Sequence, residues 1–255
     1  MTKFIQAVAL DLDGTIIGPD EQISSCTAKV VSGLAKLVPV FINTGRERSA
    51  VKRYGTELEL TSPQVCDNGA VIVDPLSDWE TLWHALLGSE ITTQVLEKIR
   101  RERLSFIATS RSESVQDISL AFGREFARIS VLDMKNDQAE KVMRALSATT
   151  EMQVVKAWLP YNELWAVDCT PVGVDKGSAV RKVGTLLSIS TEHMACVGDS
   201  YNDVPMFREC GLAISMGDAP KSVEEEADFT VAPVTDDGLI EAIKDIISPR
   251  LEIGV

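Results

Sequence analysis

The sequence predicts an α/β fold whose core is a doubly wound, mostly parallel sheet, with an α+β domain inserted into it. Short apolar runs alternate with helical stretches at both ends of the 255-residue chain, which is typical of parallel βαβ units. The middle of the chain has a different pattern and contains two strand-like runs joined by a tight-turn composition. We therefore predict a core formed by residues 1–81 and 171–255 and an inserted domain formed by residues 82–170.

The N-terminal part of the core is expected to supply its first strands. Residues 4–10 form a continuous apolar run, which indicates a strand buried on both faces. Ser24 or Ser25 can cap the helix that follows. The next predicted elements are a buried strand, a helix and two short strands, at residues 38–42, about 47–57, 64–66 and 71–73.

The inserted domain is predicted to combine helices with strands, after a polar connection that contains Trp79 and Trp83. Its strand-like runs lie at residues 104–109, 127–132, 153–158 and 164–168. Its helices are expected at residues 90–103, 113–122 and 138–147. Residues 160–162 read Pro-Tyr-Asn, which is the composition of a tight turn, so the last two runs should form a hairpin.

The alternation of helices and strands resumes at Lys176 and completes the core. Strands are predicted at residues 194–197, 212–214 and 229–231. One helix is predicted before the first of these strands, one between the first and second, and one after the last. They end near residues 187, 208 and 247, respectively. Because these strands are again apolar and separated by helices, they are expected to join the parallel sheet of the N-terminal part.

The composition excludes several kinds of partner. The chain carries 25 Lys and Arg against 38 Asp and Glu, a formal net charge of −13. We expect no nucleic acid and no anionic membrane as a partner, because both bind proteins through Lys and Arg. No signal peptide and no run of 18 apolar residues is recognised, so the expected location is the cytoplasm.

The cysteines and histidines argue against two further kinds of site. Five cysteines without a C-x-x-C motif predict neither a disulfide framework nor a structural zinc site. Two histidines are too few for a multi-histidine metal centre. Chemistry in this chain is therefore expected to rest on other residue types.

Two aspartates directly follow the first buried strand, in the segment DLDGT at residues 11–15. Ligands in open α/β sheets bind at the carboxyl ends of strands, and residues i and i+2 face the same side. Asp11 and Asp13 can therefore face one small volume, where they repel unless a cation is present or one is protonated. The first possibility indicates Mg²⁺, and the second indicates a nucleophile beside a general acid and base. An ordinary Asp-Gly turn is the alternative.

A second acidic cluster follows another apolar strand, in the segment GDSYND at residues 198–203. Asp199 is placed to bind a metal, and Asp203 to complete or orient its ligand shell. A helix N-cap is the alternative, and both can hold if Ser200 caps the helix while Asp199 faces the metal.

Two further segments predict an anion site. Residues 43–46 read Asn-Thr-Gly-Arg and close the second strand, so that Thr44 and the backbone N–H groups around Gly45 can bind an anion at a helix start. Lys176 begins a helix, where its charge opposes the helix dipole unless something anionic compensates it. A phosphate together with Asp11 would do so. A capped helix start and an exposed lysine are the alternatives.

These four segments, in this order, resemble the four motifs of the haloacid dehalogenase-like hydrolase superfamily, which has a Rossmann-like core. The resemblance covers both core segments, about two thirds of the chain. The insertion between the second and third motifs is similar to the C2-type cap of the Cof-type and sucrose-phosphatase-like branch. Asn68-Gly69-Ala70 also resembles that branch.

The resemblance implies a role for each motif residue. Asp11 would attack phosphorus to form an aspartyl-phosphate, and Asp13 would protonate the leaving group and then activate water. Mg²⁺ would be held by Asp11, the Asp13 carbonyl and Asp199, with Asp203 supporting them. The implied phosphate-binding residues are Thr44, Lys176 and Asn202.

The resemblance implies a Mg²⁺-dependent phosphatase that acts on a small phosphorylated metabolite, such as a sugar phosphate or a phosphoglycolate-like compound. A phosphomutase of the phosphomannomutase type is the alternative within enzymes. A non-catalytic metabolite-binding module is a second alternative, but it has no need for both Asp11 and Asp13.

Contacts to the substrate outside the motifs are predicted only as candidates. Near the site these are Arg46 and Asn68. Polar candidates on the inserted domain are Arg111, Lys156 and Asn162. The aromatic side chains around the predicted hairpin are expected to pack the domain rather than stack on a sugar; they are Trp158, Tyr161 and Trp165. The sequence predicts no oligomeric state.

Overall fold

The computed structural model of the protein describes residues 4–110, 113–148, 151–159 and 161–251. Its strands are, in chain order, β1 (Ala7–Leu10), β2 (Val40–Ile42), β3 (Gln64–Cys66), β4 (Val71–Asp74), β5 (Glu80–His84), β6 (Phe106–Thr109), β7 (Ser114–Val115), β8 (Arg128–Met134), β9 (Met152–Leu159), β10 (Leu164–Pro171), β11 (Met194–Gly198), β12 (Leu212–Ser215) and β13 (Phe229–Thr230).

Its helices are α1 (Ser25–Ala35), α2 (Arg48–Glu57), α3 (Ser89–Glu102), α4 (Ile118–Ala121), α5 (Asn136–Ser147), α6 (Lys176–Leu187), α7 (Val204–Glu209), α8 (Lys221–Glu224) and α9 (Gly238–Glu241). The last continues as a π-helix over Ala242–Ile247. Ser24 caps α1, because its hydroxyl accepts a hydrogen bond from the Thr27 N–H at 3.0 Å. Within the described ranges, no helix combines the length and apolar character needed to cross a bilayer.

The core sheet has five parallel strands in the order β13-β12-β11-β1-β2. Both ends of the chain supply strands to it, as predicted. The pairing of Leu10 with Val197 places the ends of β1 and β11 side by side. The predicted α/β fold class is confirmed, and residues that follow these two strands meet at one edge of the sheet.

The core sheet is covered on both faces. Successive residues of β1 enter different apolar clusters: Val8 and Leu10 pack with Leu34 of α1, whereas Ala7 and Ala9 pack with the residues of α6. All four residues of β1 are inaccessible to solvent. A strand buried on both faces has to be apolar at every position, which is why its sequence shows no polar alternation.

The inserted segment forms an antiparallel sheet with strand order β7-β6-β8-β10-β9, which we call the cap sheet. Residues of α3 and α5 pack on it in a separate apolar cluster. Strands β9 and β10 form the predicted hairpin, with Trp158 opposite Trp165. Pro160 and the candidate Arg111 lie outside the described residues. The domain boundaries at 81/82 and 170/171 stay a prediction.

Two local predictions are wrong. The helix expected over residues 113–122 is instead β7 followed by α4, since Ser114 and Val115 pair with the edge of β6 and Asp117 caps α4 through the Ser119 N–H. The polar connection expected around Trp83 is strand β5, which pairs with β4 in a separate sheet β3-β4-β5. Both errors involve pairing between neighbouring strands, which the apolar pattern of each segment alone does not show.

Candidate active site

The predicted motif residues gather at the carboxyl edge of the core sheet. Asp11 follows β1, Thr44 follows β2, and Asp199 follows β11. Lys176 is the first residue of α6, and its carbonyl accepts a hydrogen bond from the Asn43 amide at 3.0 Å. The two ends of the chain therefore meet where the motif order suggested.

A buried ammonium group links two aspartates at this edge. The Lys176 Nζ donates to Asp11 Oδ1 and to Asp203 Oδ1, each at 2.6 Å, and the lysine is inaccessible to solvent. Burial acts to lower the pKa of Lys176, but the two carboxylates outweigh it and raise that pKa. Lys176 is therefore charged, and the aspartates compensate the charge that opposes the helix dipole.

Asp203 also holds the loop that carries Asp199. Its Oδ2 accepts hydrogen bonds from the backbone N–H groups of Asp199 and Ser200, both at 2.9 Å. Since Oδ1 is engaged by Lys176, both oxygens of this buried carboxylate have partners. Asp203 is thus placed to orient its neighbours.

Three carboxylates at the site carry more negative charge than their neighbours neutralise. Ligand atoms of Asp11, Asp199 and Asp203 lie within 4.8 Å of one another. Burial, and then the carboxylate of Asp203, raises the pKa of Asp11 to about 7. Burial, and then the carboxylate of Asp11, raises the pKa of Asp199 well above its usual value. Lys176 supplies one positive charge for the three.

The surroundings of Asp199 fit a cation. Its Oδ1 is buried and has no hydrogen-bond partner among the described residues. Gly14 has φ +77°, and a Cβ added there would lie 2.4 Å from Asp199 Oδ2. Glycine at this turn therefore lets the Asp199 carboxylate, whose Oδ1 lacks a partner, lie close against the backbone that follows Asp13. Oxygen donors of this kind suit Mg²⁺.

Asp13 lies apart from this group and is held by Arg46. The guanidinium donates to Asp13 through Nη2 at 2.6 Å and through Nε at 2.9 Å. The same Nη2 also contacts Glu21 Oε1 at 2.5 Å. The predicted substrate contact Arg46 is thus part of an ion-pair network around Asp13.

The loop after β3 connects the core to the cap sheet. Asn68 has φ 53° and is buried. Its Oδ1 accepts from Asn202 Nδ2 at 3.0 Å, and its Nδ2 donates to Asp168 of β10. The predicted candidate Asn68 therefore joins a motif residue of the core to a cap residue.

Sequence reasoning missed a buried polar cluster under the cap sheet, which we call the cap cluster: Asp67, Thr109, Arg128, Ser130 and Asp168. Arg128 Nε contacts Asp67 Oδ1 at 3.1 Å, and Nη1 contacts Asp168 Oδ1 at 3.3 Å. Thr109 donates to Asp67 at 2.8 Å, and Ser130 donates to Asp168. Burial raises the pKa of Asp67 to about 6 although Arg128 opposes it. The sequence signal that could have revealed this cluster is the presence of charged residues inside predicted apolar strands.

A cavity of about 360 Å³ lies between the core and the cap sheet. The core contributes Asp11, Asp13, Arg46 and Asn202 among others, and the cap contributes Arg128 and Asp168. Thr44 and Gly45 also line it, as do Trp158 and Tyr161. Several predicted site residues and three residues of the cap cluster, Arg128, Ser130 and Asp168, therefore face one space.

The sequence matches the haloacid dehalogenase-like hydrolase family over residues 8–243. The chain belongs to this family. The resemblance found in the four motifs is thereby confirmed over both core segments and the insertion between them. Because that family comprises hydrolases, the carboxylate cluster and the adjoining cavity are the candidate active site of an enzyme.

Named relatives of this hydrolase are phosphatases. The 5-amino-6-(5-phospho-D-ribitylamino)uracil phosphatase YcsE of Bacillus subtilis (strain 168) is 26% identical over 246 residues, 94% of this chain and 95% of the relative. A phosphoglycolate phosphatase of Archaeoglobus fulgidus is 24% identical over 240 residues, 94% of this chain and 96% of the relative. The hydrolase is accordingly an enzyme of the phosphoric monoester hydrolase class.

Solved structures share the fold. A haloacid dehalogenase-like hydrolase from B. subtilis superposes with a TM-score of 0.83 at 18% identity, covering 95% of this chain and 100% of that chain. At that identity the likeness concerns the fold. It shows that the core with its inserted cap sheet is an arrangement that this family uses.

Gly69 fixes the loop that carries Asn68, and we expect its replacement to destabilise the hydrolase. Gly69 has φ +97°, and an added Cβ would lie 2.3 Å from the Asp175 carbonyl oxygen at the start of α6. Gly69→Ala should lower the free energy of unfolding by about 2 kcal/mol or more, measured by urea unfolding.

Gly33→Ala is the matched control for this substitution. Gly33 lies in α1, and an added Cβ would meet nothing within 4 Å. Alanine should therefore leave stability unchanged or raise it by roughly 0.5–1 kcal/mol. Equal effects of the two substitutions would contradict the steric role assigned to Gly69.

Proposed function

We propose that this hydrolase is a Mg²⁺-dependent phosphatase that cleaves a small phosphorylated metabolite through an aspartyl-phosphate on Asp11. The observation that carries the proposal is the cluster of Asp11, Asp199 and Asp203 around Lys176, together with the cavity that Asp11 and Asp13 line. Phosphoryl transfer needs positioned groups and neutralisation of charge more than covalent assistance. The cluster combines a nucleophile, a buried cation and oxygen donors for a metal.

The residues that would hold Mg²⁺ are Asp11, Asp199 and the backbone carbonyl of Asp13, with Asp203 orienting the loop of Asp199. The orphaned Oδ1 of Asp199 supports a cation here, because a buried carboxylate oxygen needs a partner. The raised pKa of Asp11 also supports it, because burial, and then the carboxylate of Asp203, disfavours its charge. When bound, Mg²⁺ would neutralise charge on the phosphoryl oxygens and keep Asp11 ionised.

Asp11 would act as the nucleophile. Its carboxylate oxygen would form a bond to phosphorus while the bond from phosphorus to the leaving oxygen breaks. Lys176 already lies 2.6 Å from Asp11 Oδ1, so the same ammonium can approach an oxygen of the transferring group. Thr44 and Asn202 line the cavity beside it and offer further hydrogen-bond donors.

Asp13 would move the protons. In its acid form it would donate a proton to the leaving oxygen, and as a base it would take a proton from the water that attacks the aspartyl-phosphate. Arg46 fixes the carboxylate through two of its nitrogens, so the side chain has a defined position at the cavity wall. Inorganic phosphate and a restored Asp11 result.

The substrate is proposed to be small because the cap sheet closes the space above Asp11. A cavity of about 360 Å³ is at the lower end of the range for small-molecule sites. Sugar phosphates and phosphoglycolate-like compounds are the classes that we propose. The relatives named for a ribitylaminouracil phosphate and for phosphoglycolate support this size range.

The proposal is tested by incubating the purified hydrolase and Mg²⁺ with a panel of phosphorylated metabolites and with p-nitrophenyl phosphate, measuring free phosphate. We expect release from at least one small metabolite. Two outcomes would contradict it: no release from any compound, or conversion of a hexose 1-phosphate to the 6-phosphate without free phosphate. The second would show a mutase.

A further inference from the structure

The positive charge that the described part of the chain presents to the cavity is fully engaged by carboxylates. Among the described residues, Arg46 and Arg128 are the cationic side chains that line it. Each guanidinium is held between two carboxylates: Arg46 contacts Asp13 and Glu21, and Arg128 contacts Asp67 and Asp168. Neither arginine therefore presents uncompensated positive charge to a ligand.

Lys176 is held in the same way, between Asp11 and Asp203. This cation lies at the phosphate end of the site, beside the oxygens that would bind Mg²⁺. The positive charge of Lys176 and of bound Mg²⁺ would stabilise the negative charge of the phosphoryl group. A second anionic group on the substrate would have to lie at the cap end of the cavity, where Arg128 has two carboxylate partners.

Asp168 offers a hydrogen-bond acceptor at the cap end. Its Oδ1 accepts from Arg128 and Ser130, and its Oδ2 accepts from Asn68. An ionised carboxylate has about four acceptor positions, so these three bonds leave one on Oδ2. Asp168 is buried and lines the cavity, which makes this position a contact for a ligand rather than for bulk water.

Arg128 offers donors beside that acceptor. Its bonds to Asp67 and Asp168 run from Nε and Nη1. A guanidinium has five N–H groups in a planar fork, so donors on Nη2 remain for a ligand. A hydroxyl group can accept from Arg128 and donate to Asp168 at once. A carboxylate can only accept, and it would face Asp168 as a like charge.

Resting on the proposed phosphatase function, we propose that Asp168, positioned by Arg128 and Ser130, selects substrates whose leaving group ends in neutral hydroxyls and rejects those that carry a second anion. Specificity of this kind combines an attractive contact with a repulsive one. It favours polyol or sugar phosphates over phosphoglycolate-like acids, although both kinds of phosphatase occur among the relatives.

Matched substrates test the inference on the unmodified enzyme. Glucitol 6-phosphate and 6-phosphogluconate differ at one terminal group, a CH₂OH against a carboxylate, and glycerol 3-phosphate differs from 3-phosphoglycerate in the same way. We expect kcat/KM to be higher for the neutral member of each pair by about tenfold or more. Equal or higher kcat/KM for the acids would overturn the inference.

Failure of the inference and failure of the proposed function are distinguishable. Release of phosphate from p-nitrophenyl phosphate with preference for the acids would overturn the inference alone. No release from any compound with Mg²⁺ would overturn both. The comparison needs no variant, so it decides the inference even where a change in the cap cluster prevents folding.

Asp168→Asn tests the residue itself. It keeps the shape of the side chain and removes the charge that opposes an acid, so the neutral-to-acid ratio of kcat/KM should fall by about tenfold. Asp137→Asn, on the exposed first turn of α5, is the matched control and should leave the ratio unchanged. A folded Asp168→Asn variant with the wild-type ratio would overturn the assignment to Asp168.

Discussion

Asp11→Asn should abolish phosphate release while leaving the hydrolase folded and, without metal, more stable at alkaline pH. The amide has the shape of the carboxylate but cannot attack phosphorus, so kcat should fall by at least about 1,000-fold. Asp11 is buried beside Asp199 and Asp203, and its charge adds to theirs. Active sites commonly keep such repulsion at a cost in stability.

The pH dependence of this gain follows from the pKa of Asp11. Burial, and then Asp203, raises that pKa from 3.8 to about 7. A pKa raised in the folded state contributes stability that is fully present below about pH 4 and is lost as the pH rises through about 7. Asparagine does not titrate, so the variant keeps the stability that the wild type loses as the pH rises. Its advantage in free energy of unfolding should reach roughly 1–3 kcal/mol at pH 8 in EDTA and vanish near pH 4.

Urea unfolding at the two pH values measures stability, and phosphate release measures activity. Asp20→Asn is the matched control, because Asp20 is an exposed aspartate on the loop that follows the motif. It should change neither quantity. Substantial hydrolysis by a folded Asp11→Asn variant would contradict the role of nucleophile, whatever its stability.

The core could be predicted because its signals are local. The apolar run at residues 4–10 gave β1, and two acidic segments that follow apolar runs gave Asp11 and Asp199. The carboxyl ends of parallel strands lie at one edge of a sheet, so Asp11 and Asp199, 188 positions apart, could be placed together without knowledge of their side-chain contacts. The prediction of Lys176 near Asp11 had a different basis, the anionic compensation that a lysine at a helix start requires.

The cap cluster could not be predicted, because its charges are explained only by partners far along the chain. Arg128 is 61 residues from Asp67 and 40 residues from Asp168. Each appears in the sequence as an isolated charge within or directly after an apolar run. Burial of such charges is favourable only when partners satisfy them. The pairing of β8 with β10 supplies Asp168, and the loop after β3 supplies Asp67.

The error over residues 113–122 has a more local origin. Apolar side chains at Val115, Ile118 and Ala121 have helical spacing, which predicts one helix. Strand pairing of Val115 with Ala108 overrides that local tendency and leaves only the short helix α4. Pairing energy is a tertiary term, so a periodicity argument does not contain it.

Removal of Mg²⁺ should abolish activity, and its addition should stabilise the folded hydrolase. A ligand that binds the folded state alone stabilises by about 2.7 kcal/mol at 100 times its Kd. We therefore expect the melting temperature to rise with Mg²⁺ concentration and to fall back in EDTA. The melting temperature reports binding without reference to turnover, so it tests the metal site independently of the substrate.

Asp199→Asn should weaken binding of the metal without destabilising the fold. The substitution removes a ligand whose Oδ1 lacks a partner in the described structure, so activity should fall by at least about 100-fold and the Mg²⁺-dependent rise in melting temperature should shrink. Without metal, the variant should be at least as stable as the wild type, because burial and Asp11 disfavour the charge at this position. Asp20→Asn should retain the full Mg²⁺ response. An unchanged response in Asp199→Asn would place the metal elsewhere, since a buried carboxylate that binds it cannot be replaced by an amide without loss of affinity.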